Sequence, residues 1–163
     1  MSNDRWKPSV TVAAVVERGG RYLLVEERTP EGLRLNNPAG HLDPGETPEQ
    51  GVSRECLEET ACAFVPQALV GVYLARFQRP PAEDITYLRF AFCGSVGTPE
   101  PGRRLDEPIE RTVWMTLAEV RASAPRHRSP LVLRCIEDHA AGIRHPLGVV
   151  QADPSLLNPF RPA

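Results

Sequence analysis

Apolar residues recur along this chain in short bursts, set off by charged residues and by glycine or proline. "VTVAAVV", residues 10–16, is apolar at every position but Thr11, the pattern of a strand covered on both faces. A second burst, "YLLV", follows at 22–25, so 10–28 reads as two strands joined by a tight turn. Gly19 and Gly20 supply the positive φ angles that a two-residue hairpin loop requires. "TPEGLRLNNPAG", 29–40, is rich in turn formers and predicts a loop with short strands.

The period then lengthens. In "TPEQGVSRECLEET", 47–60, Val52, Cys56 and Thr60 recur every fourth residue and predict a helix that packs one less polar face on a sheet. Thr47 is a natural N-cap, Pro48 suits the first helical position, and Glu49 favours the positive end of the helix dipole. Gln50 completes a Thr-x-x-Gln capping box. Strand patterns return at 68–76 and 85–96, with 77–84 predicted as the loop between them. In the second strand Tyr87, Arg89, Ala91 and Cys93 share one face, and Leu88, Phe90 and Phe92 the other. A loop at 97–108, a strand at 110–117 and helices at 117–124 and 129–143 follow, the last opened by a Ser129 cap with Pro130 behind it. Strands and helices mix without regular alternation, which predicts an α+β domain or a mixed sheet covered by helices. One domain is expected over 1–163, with a core at about 6–150 and an irregular tail at 151–163.

Composition narrows the class. The 163 residues are 41% hydrophobic and 25% charged, as in water-soluble globular proteins. A net charge of -2 argues against binding a nucleic-acid polymer, which calls for a basic stripe. No apolar run approaches the roughly 18 residues of a membrane span, and the N-terminus lacks the apolar centre of a secretory signal, so a cytoplasmic protein is expected. Cys56, Cys62, Cys93 and Cys135 form no Cys-x-x-Cys pair and read as reduced, buried thiols.

The chemistry concentrates in "PAGHLDPGETPEQGVSRECLEETAC", 38–62. On a helix turning about 100° per residue, Glu55, Glu58 and Glu59 fall within an arc of roughly 100°, with Arg54 beside Glu58 and Gly51 inside the arc. Such an arc is either a solvated acidic face or one side of a cation site. The preceding turn, ending in a further acid at Glu46, favours the second: carboxylates and backbone carbonyls held around one centre suit a hard divalent cation.

These residues resemble the Nudix box, Gly-x5-Glu-x7-Arg-Glu-U-x-Glu-Glu-x-Gly-U, where U is bulky and apolar. Gly40, Glu46, Arg54, Glu55, Cys56, Glu58, Glu59 and Cys62 stand at the matching positions. The departures are Ala61 where the box has Gly, and cysteine at both apolar positions. Ala61 is expected to cost about 1 kcal/mol if the helix ends in a left-handed residue. With "VWMTLAEV" and "RSPLVLRCIEDHAAGIRHPL", the likeness extends over most of the chain and is closest to the small bacterial Nudix phosphatases that act on nucleoside tri- and diphosphates and on hydroxymethylpyrimidine pyrophosphate.

The resemblance implies a mixed sheet sandwiched between helices (α/β/α) and metal-dependent hydrolysis of a phosphoanhydride, with Mg2+ as cofactor and Mn2+ able to replace it. It implies Glu55, Glu58, Glu59 and the Gly40 carbonyl as metal ligands, and Arg54 as the residue that keeps the glutamates in register. The general base is Glu55 or, from the 106–110 loop, Glu110, with Asp106 and Glu107 as competitors. Arg28, Arg76 and Arg89 are candidate substrate contacts, and Trp6, Tyr73, Tyr87 and Phe90 candidate base-stacking residues. The implied partner is a small nucleotide or pyrophosphate, met by a monomer or homodimer. The alternatives are another Nudix specificity (a mutagenic nucleotide, ADP-ribose or a dinucleoside polyphosphate) or a non-catalytic ligand-sensing module.

Overall fold

A strand that is apolar on both faces must lie inside the sheet and be covered above and below. β1 (Ser9–Val15) does so: Val12, Ala13, Ala14 and Val15 are all buried. The computed structural model describes residues 5–79 and 81–157. Residues 158–163 of the expected tail, and Pro80 in the expected 77–84 loop, lie outside the described residues.

β1 pairs in parallel with β7 (Glu83–Val96) and antiparallel with β5 (Ala39–His41). β6 (Phe64–Arg79) completes this sheet, in the order β5-β1-β7-β6. The glycine turn forms, with Gly19 at φ 58° and Gly20 at φ 77°. The hairpin it closes, however, joins only β2 (Glu17–Arg18) to β3 (Arg21–Thr29) and does not include β1. β3 is the centre of a second sheet, with β2 and β4 (Gly32–Asn36) as antiparallel partners and β8 (Ile109–Thr116) as another. The chain leaves the first sheet at Val16 because the uninterrupted apolar run of β1 is satisfied by an interior position, which a simple hairpin would not give.

The expected loop at 77–84 is also largely strand. β6 and β7 stay paired as far as Arg79 and Glu83, beyond the apolar pattern. Charge extends this hairpin: Arg76 holds Asp84 through two bonds, Nε at 2.7 Å and Nη2 at 2.5 Å.

The two sheets form the middle layer, and alternate residues of β3 enter the cores on its two sides. On one side α1 (Pro48–Thr60) buries Val52 and Cys56 against Val12, Ala14, Leu23 and Phe92. On the other, α3 (Leu131–Ala140) buries Val132, Cys135 and Ile136 against Val15, Tyr22, Leu24, Ala91 and Cys93, with Val120 of α2 (Leu117–Ala122). The α+β sandwich is therefore present. α3 starts one residue later than expected: Ser129 Oγ accepts the Leu131 N–H at 3.2 Å, while Pro130 holds the cap position. All four cysteines are free and buried. Among the described residues no helix is long and apolar enough to cross a membrane.

Candidate active site

β5 is a short edge strand, and three residues of it approach α1. The capping box fixes the start of the helix: Thr47 Oγ1 accepts the Gln50 N–H at 3.2 Å, and Gln50 Oε1 accepts the Thr47 N–H at 2.8 Å. Burial of Val52, Cys56 and Thr60 fixes its roll and turns the acidic arc toward β5.

Arg54 organises the acids. Its Nε donates to Glu46 Oε2 at 3.0 Å, Nη2 to Glu46 Oε1 at 2.7 Å and to the His41 carbonyl at 2.9 Å. Nη1 donates to Glu55 Oε1 at 2.8 Å and Glu58 Oε2 at 3.1 Å. One planar fork thus locks three carboxylates and the β5 backbone, a geometry lysine cannot reproduce. These bonds push the Arg54 pKa up and hold the Glu46 carboxyl below its usual range.

Two glycines are explained by close approach. A methyl group at Gly40 would lie 2.1 Å from the Glu55 carboxyl carbon, so only glycine lets that carboxylate rest on β5. At Gly51 a methyl would come within 2.9 Å of Glu46 Oε1 and Leu42 Cδ1. The space beside Gly51 in the acidic arc is therefore filled by Glu46 and Leu42. Ala61 is the left-handed C-cap, at φ 60° and ψ 13°, the conformation that glycine adopts without strain.

Glu59 is the unusual member. It is buried, its Oε2 accepts the Ala39 N–H at 2.8 Å, and among the described residues it has no basic partner. Burial pushes its pKa up to about 8, and Glu55, Glu27 and Asp106 push the same way. Burial also raises Glu55, against the pull of Arg54. Buried carboxylates facing one another need a proton or a cation. The donors here are all oxygen, as a hard divalent ion prefers. Among the described residues no three His, Cys, Asp or Glu side chains stand close enough to form a ready-made cage, since Arg54 draws Glu55 and Glu58 while the Ala39 N–H holds Glu59.

The 106–110 loop meets α1 through Asp106, whose N–H donates to the Glu58 carbonyl at 3.0 Å and whose charge acts on Glu59. Glu110, the acid singled out in the sequence, lies at the β8 bulge and forms an ion pair with Arg28.

A cavity of about 440 Å³ opens beside β5, on the α3 side of the first sheet. Arg28, Arg76 and Arg89 all line it. Arg28 and Arg76 are exposed and already paired, with Glu110 and Asp84. Arg89 is only 7% exposed, with Nη1 on Asn37 Oδ1 at 3.2 Å and Nη2 on Asn36 Oδ1 at 3.3 Å. Of the candidate stacking aromatics, Tyr87 lines the cavity. Phe90 packs in the core on the α1 side, Tyr73 donates to Asp138 at 3.0 Å, and Trp6 is exposed. Thr11, Glu27, Asn36 and Arg128 also line the cavity and were not singled out in the sequence. For Thr11 the one signal was polarity inside an apolar strand run, "VTVAAVV"; Arg128 lies in a loop and carried none.

Residues 6–135 match the NUDIX domain. The chain is 36% identical to Phosphatase NudJ of Escherichia coli (strain K12) over 146 residues, 89% of this chain and 92% of that protein. A NUDIX hydrolase from Nitrosomonas europaea superposes with a TM-score of 0.82 at 49% identity, covering 90% of this chain and 98% of the other. A UDP-X diphosphatase shares the fold at 16% identity, with a TM-score of 0.67, covering 89% of this chain and 68% of the other. Family match, relatives and box geometry agree: the chain belongs to the Nudix hydrolase family.

Proposed function

We propose that this enzyme hydrolyses phosphoanhydride bonds in nucleoside tri- and diphosphates or in a thiamine-precursor pyrophosphate, using Mg2+, with Mn2+ as a substitute. The observation that carries the reading is Glu59, a buried carboxyl among other acids with no ion-pair partner among the described residues, next to the Gly40 cradle. Glu55, Glu58, Glu59 and the Gly40 carbonyl would hold the ion. A bound divalent ion neutralises phosphate oxygens and acidifies a coordinated water.

This chain's own residues do the rest. Arg54 is a positioning residue that keeps Glu46, Glu55 and Glu58 in register, and ion binding competes with it for Glu55 and Glu58. The reaction forms a bond from water oxygen to phosphorus and breaks the bond to the bridging oxygen, which leaves with its electron pair. The water proton passes to a carboxylate. Glu55 and Asp106 border the acidic cluster and suit that role better than Glu110, which is committed to Arg28. Nudix relatives named as a phosphatase and as hydrolases support the reaction class.

The test is a panel of nucleoside di- and triphosphates, hydroxymethylpyrimidine pyrophosphate and ADP-ribose, assayed with Mg2+ for phosphate against pyrophosphate release. Glu59→Gln, which keeps an acceptor for the Ala39 N–H, should fold normally and lower kcat at least about 100-fold. Undiminished turnover in that variant would remove Glu59 from the site.

A further inference from the structure

Phe77 stands between two cavities. It lines the one of about 440 Å³ beside β5, and also a second of about 370 Å³ bordered by Glu31, Arg79 and His127. Among the described residues only Arg128 shares this position between the two. Alternation along β6 puts Phe77 on the face of Tyr73 and Ala75, toward α3. Its ring packs into neither apolar core.

The two halves of this wall are held differently. Arg128 is fixed from below, its Nε 2.8 Å from Oε1 of the buried Glu27. Phe77 is held from the surface. The Arg79 guanidinium lies over its ring, 5.5 Å from the centroid, as a cation–π contact. The same guanidinium pairs with Glu31 and, at 3.7 Å, with Glu83. Glu31 belongs to the β3–β4 turn of the second sheet and Arg79 to the β6–β7 hairpin of the first, so their pair ties two hairpins together beside the ring. Arg79 and Glu31 are 42% and 41% exposed, so salt screens the pair and it contributes little to stability. A ring outside both cores, latched by a screened pair, is poorly explained as packing. Its position explains it better, since it divides one space into two.

The first cavity reaches Gly40 and His41 of the box, so it is open to whatever group carries the phosphates. At about 440 Å³ it lies toward the small end of ligand pockets, which run from about 300 to 1,000 Å³. Joining the second cavity to it would nearly double the room.

We propose that Phe77, braced by Arg79 and Glu31, is a specificity-determining wall that limits how large a group the substrate carries behind its phosphates. With the ring in place a nucleoside-sized group fits, and one enlarged at its base or ribose does not. With the ring removed the second cavity receives the enlargement. The assignment rests on the phosphoanhydride reading above and adds a size limit and the residues that set it.

The test compares ATP with two enlarged analogues, N6-benzyl-ATP and 2′/3′-O-(N-methylanthraniloyl)-ATP. Wild-type protein with Mg2+ should cleave both analogues poorly beside ATP. In Phe77→Ala the kcat/KM of at least one analogue relative to ATP should rise at least about tenfold, chiefly through KM. Glu31→Gln, which releases the brace and keeps the ring, should move the same ratio the same way by about threefold. Phe77→Leu is read in the same manner should Phe77→Ala fail to fold. Titrating the fluorescent methylanthraniloyl nucleotide into metal-free protein reads binding without turnover, and affinity should rise in Phe77→Ala. Analogues cleaved by wild type as well as ATP, or an unchanged ratio in a folded Phe77 variant, overturn the wall. Failure of the hydrolase reading looks different: the fluorescent nucleotide binds more tightly to Phe77→Ala, yet neither protein cleaves any nucleotide with Mg2+.

Discussion

Gly40→Ala is the sharpest perturbation the site allows. The added methyl falls 2.1 Å from the Glu55 carboxyl carbon and 2.2 Å from both of its oxygens, so something must move by more than an ångström. β5 is held from three directions. Gly40 is paired with the fully buried Val12, the Ala39 N–H is bonded to Glu59, and the His41 carbonyl is bonded to Arg54. Glu55 must therefore swing out and lose its 2.8 Å bond to Arg54. Overpacking costs about 1–3 kcal/mol, and a lost charge-assisted bond adds a part of that again, discounted because Arg54 is partly exposed. A loss of about 2 kcal/mol lowers Tm by roughly 4–8 °C for a domain of this size. Turnover should fall about 100-fold, the usual consequence of displacing a reacting group by an ångström. Circular-dichroism melting without metal and phosphate release with Mg2+ measure the two effects. Gly97→Ala, where the methyl meets nothing within 4 Å, is the control. In the double variant with Glu55→Ala, stability should recover and activity should not, a non-additive pattern diagnostic of direct contact. Gly40→Ala behaving like Gly97→Ala would refute the packing of Glu55 on β5.

Arg54→Lys keeps the charge but loses the fork, so activity should drop about 10- to 100-fold in a Mg2+ titration while the fold survives. Cys56→Ala should lower stability by about 1–2 kcal/mol in urea unfolding and leave kcat within about threefold, because the thiol is a buried packing group whose pKa is pushed up to about 12. A folded but inactive Cys56→Ala would contradict that assignment. His139, bonded through Nδ1 to the Tyr22 hydroxyl at 3.0 Å, has its pKa lowered by burial to about 4. The unfolded chain takes up this proton near pH 6.5 and the folded chain does not, so stability falls as pH drops from about 6.5 to about 4. The loss is no more than about 2 kcal/mol after allowing for partial exposure. His139→Gln should flatten the stability profile in that window, and an unchanged slope would show that His139 is not the group responsible.

Local chemistry was legible in the sequence and long-range partnership was not. The α1 cap, the glycine turn, the faces of β7 and the left-handed Ala61 all follow from neighbours within a few residues. The misread hairpin has the opposite character. Whether β1 pairs with β3 or with β7 depends on covering two apolar faces at once, and no window of "VTVAAVVERGGRYLLV" contains the strand at 83–96 that resolves it. The 77–84 segment failed for a related reason. Its strand is extended by Arg76 and Asp84 across the hairpin, a pair that polarity alone marks as loop.

The same division runs through the site. The box supplies its acids from one helix, so their shared arc could be computed from the sequence. The buried floor of the cavity could not be, because Thr11, Glu27, Asn36 and Arg89 come from four strands of two sheets. Arg89 illustrates why. An arginine that alternates with apolar residues reads as exposed or substrate-facing, yet here it is buried on two asparagines, with one nitrogen left over. The carboxylates that offset its buried charge, Glu27 and Glu59, come from another strand and from α1, so no local window of sequence could have paired them with it. The box tells which reaction class the chain performs. The cavity that Arg89 lines is assembled from residues far apart in the sequence, and residues of that kind separate one member of a fold family from another.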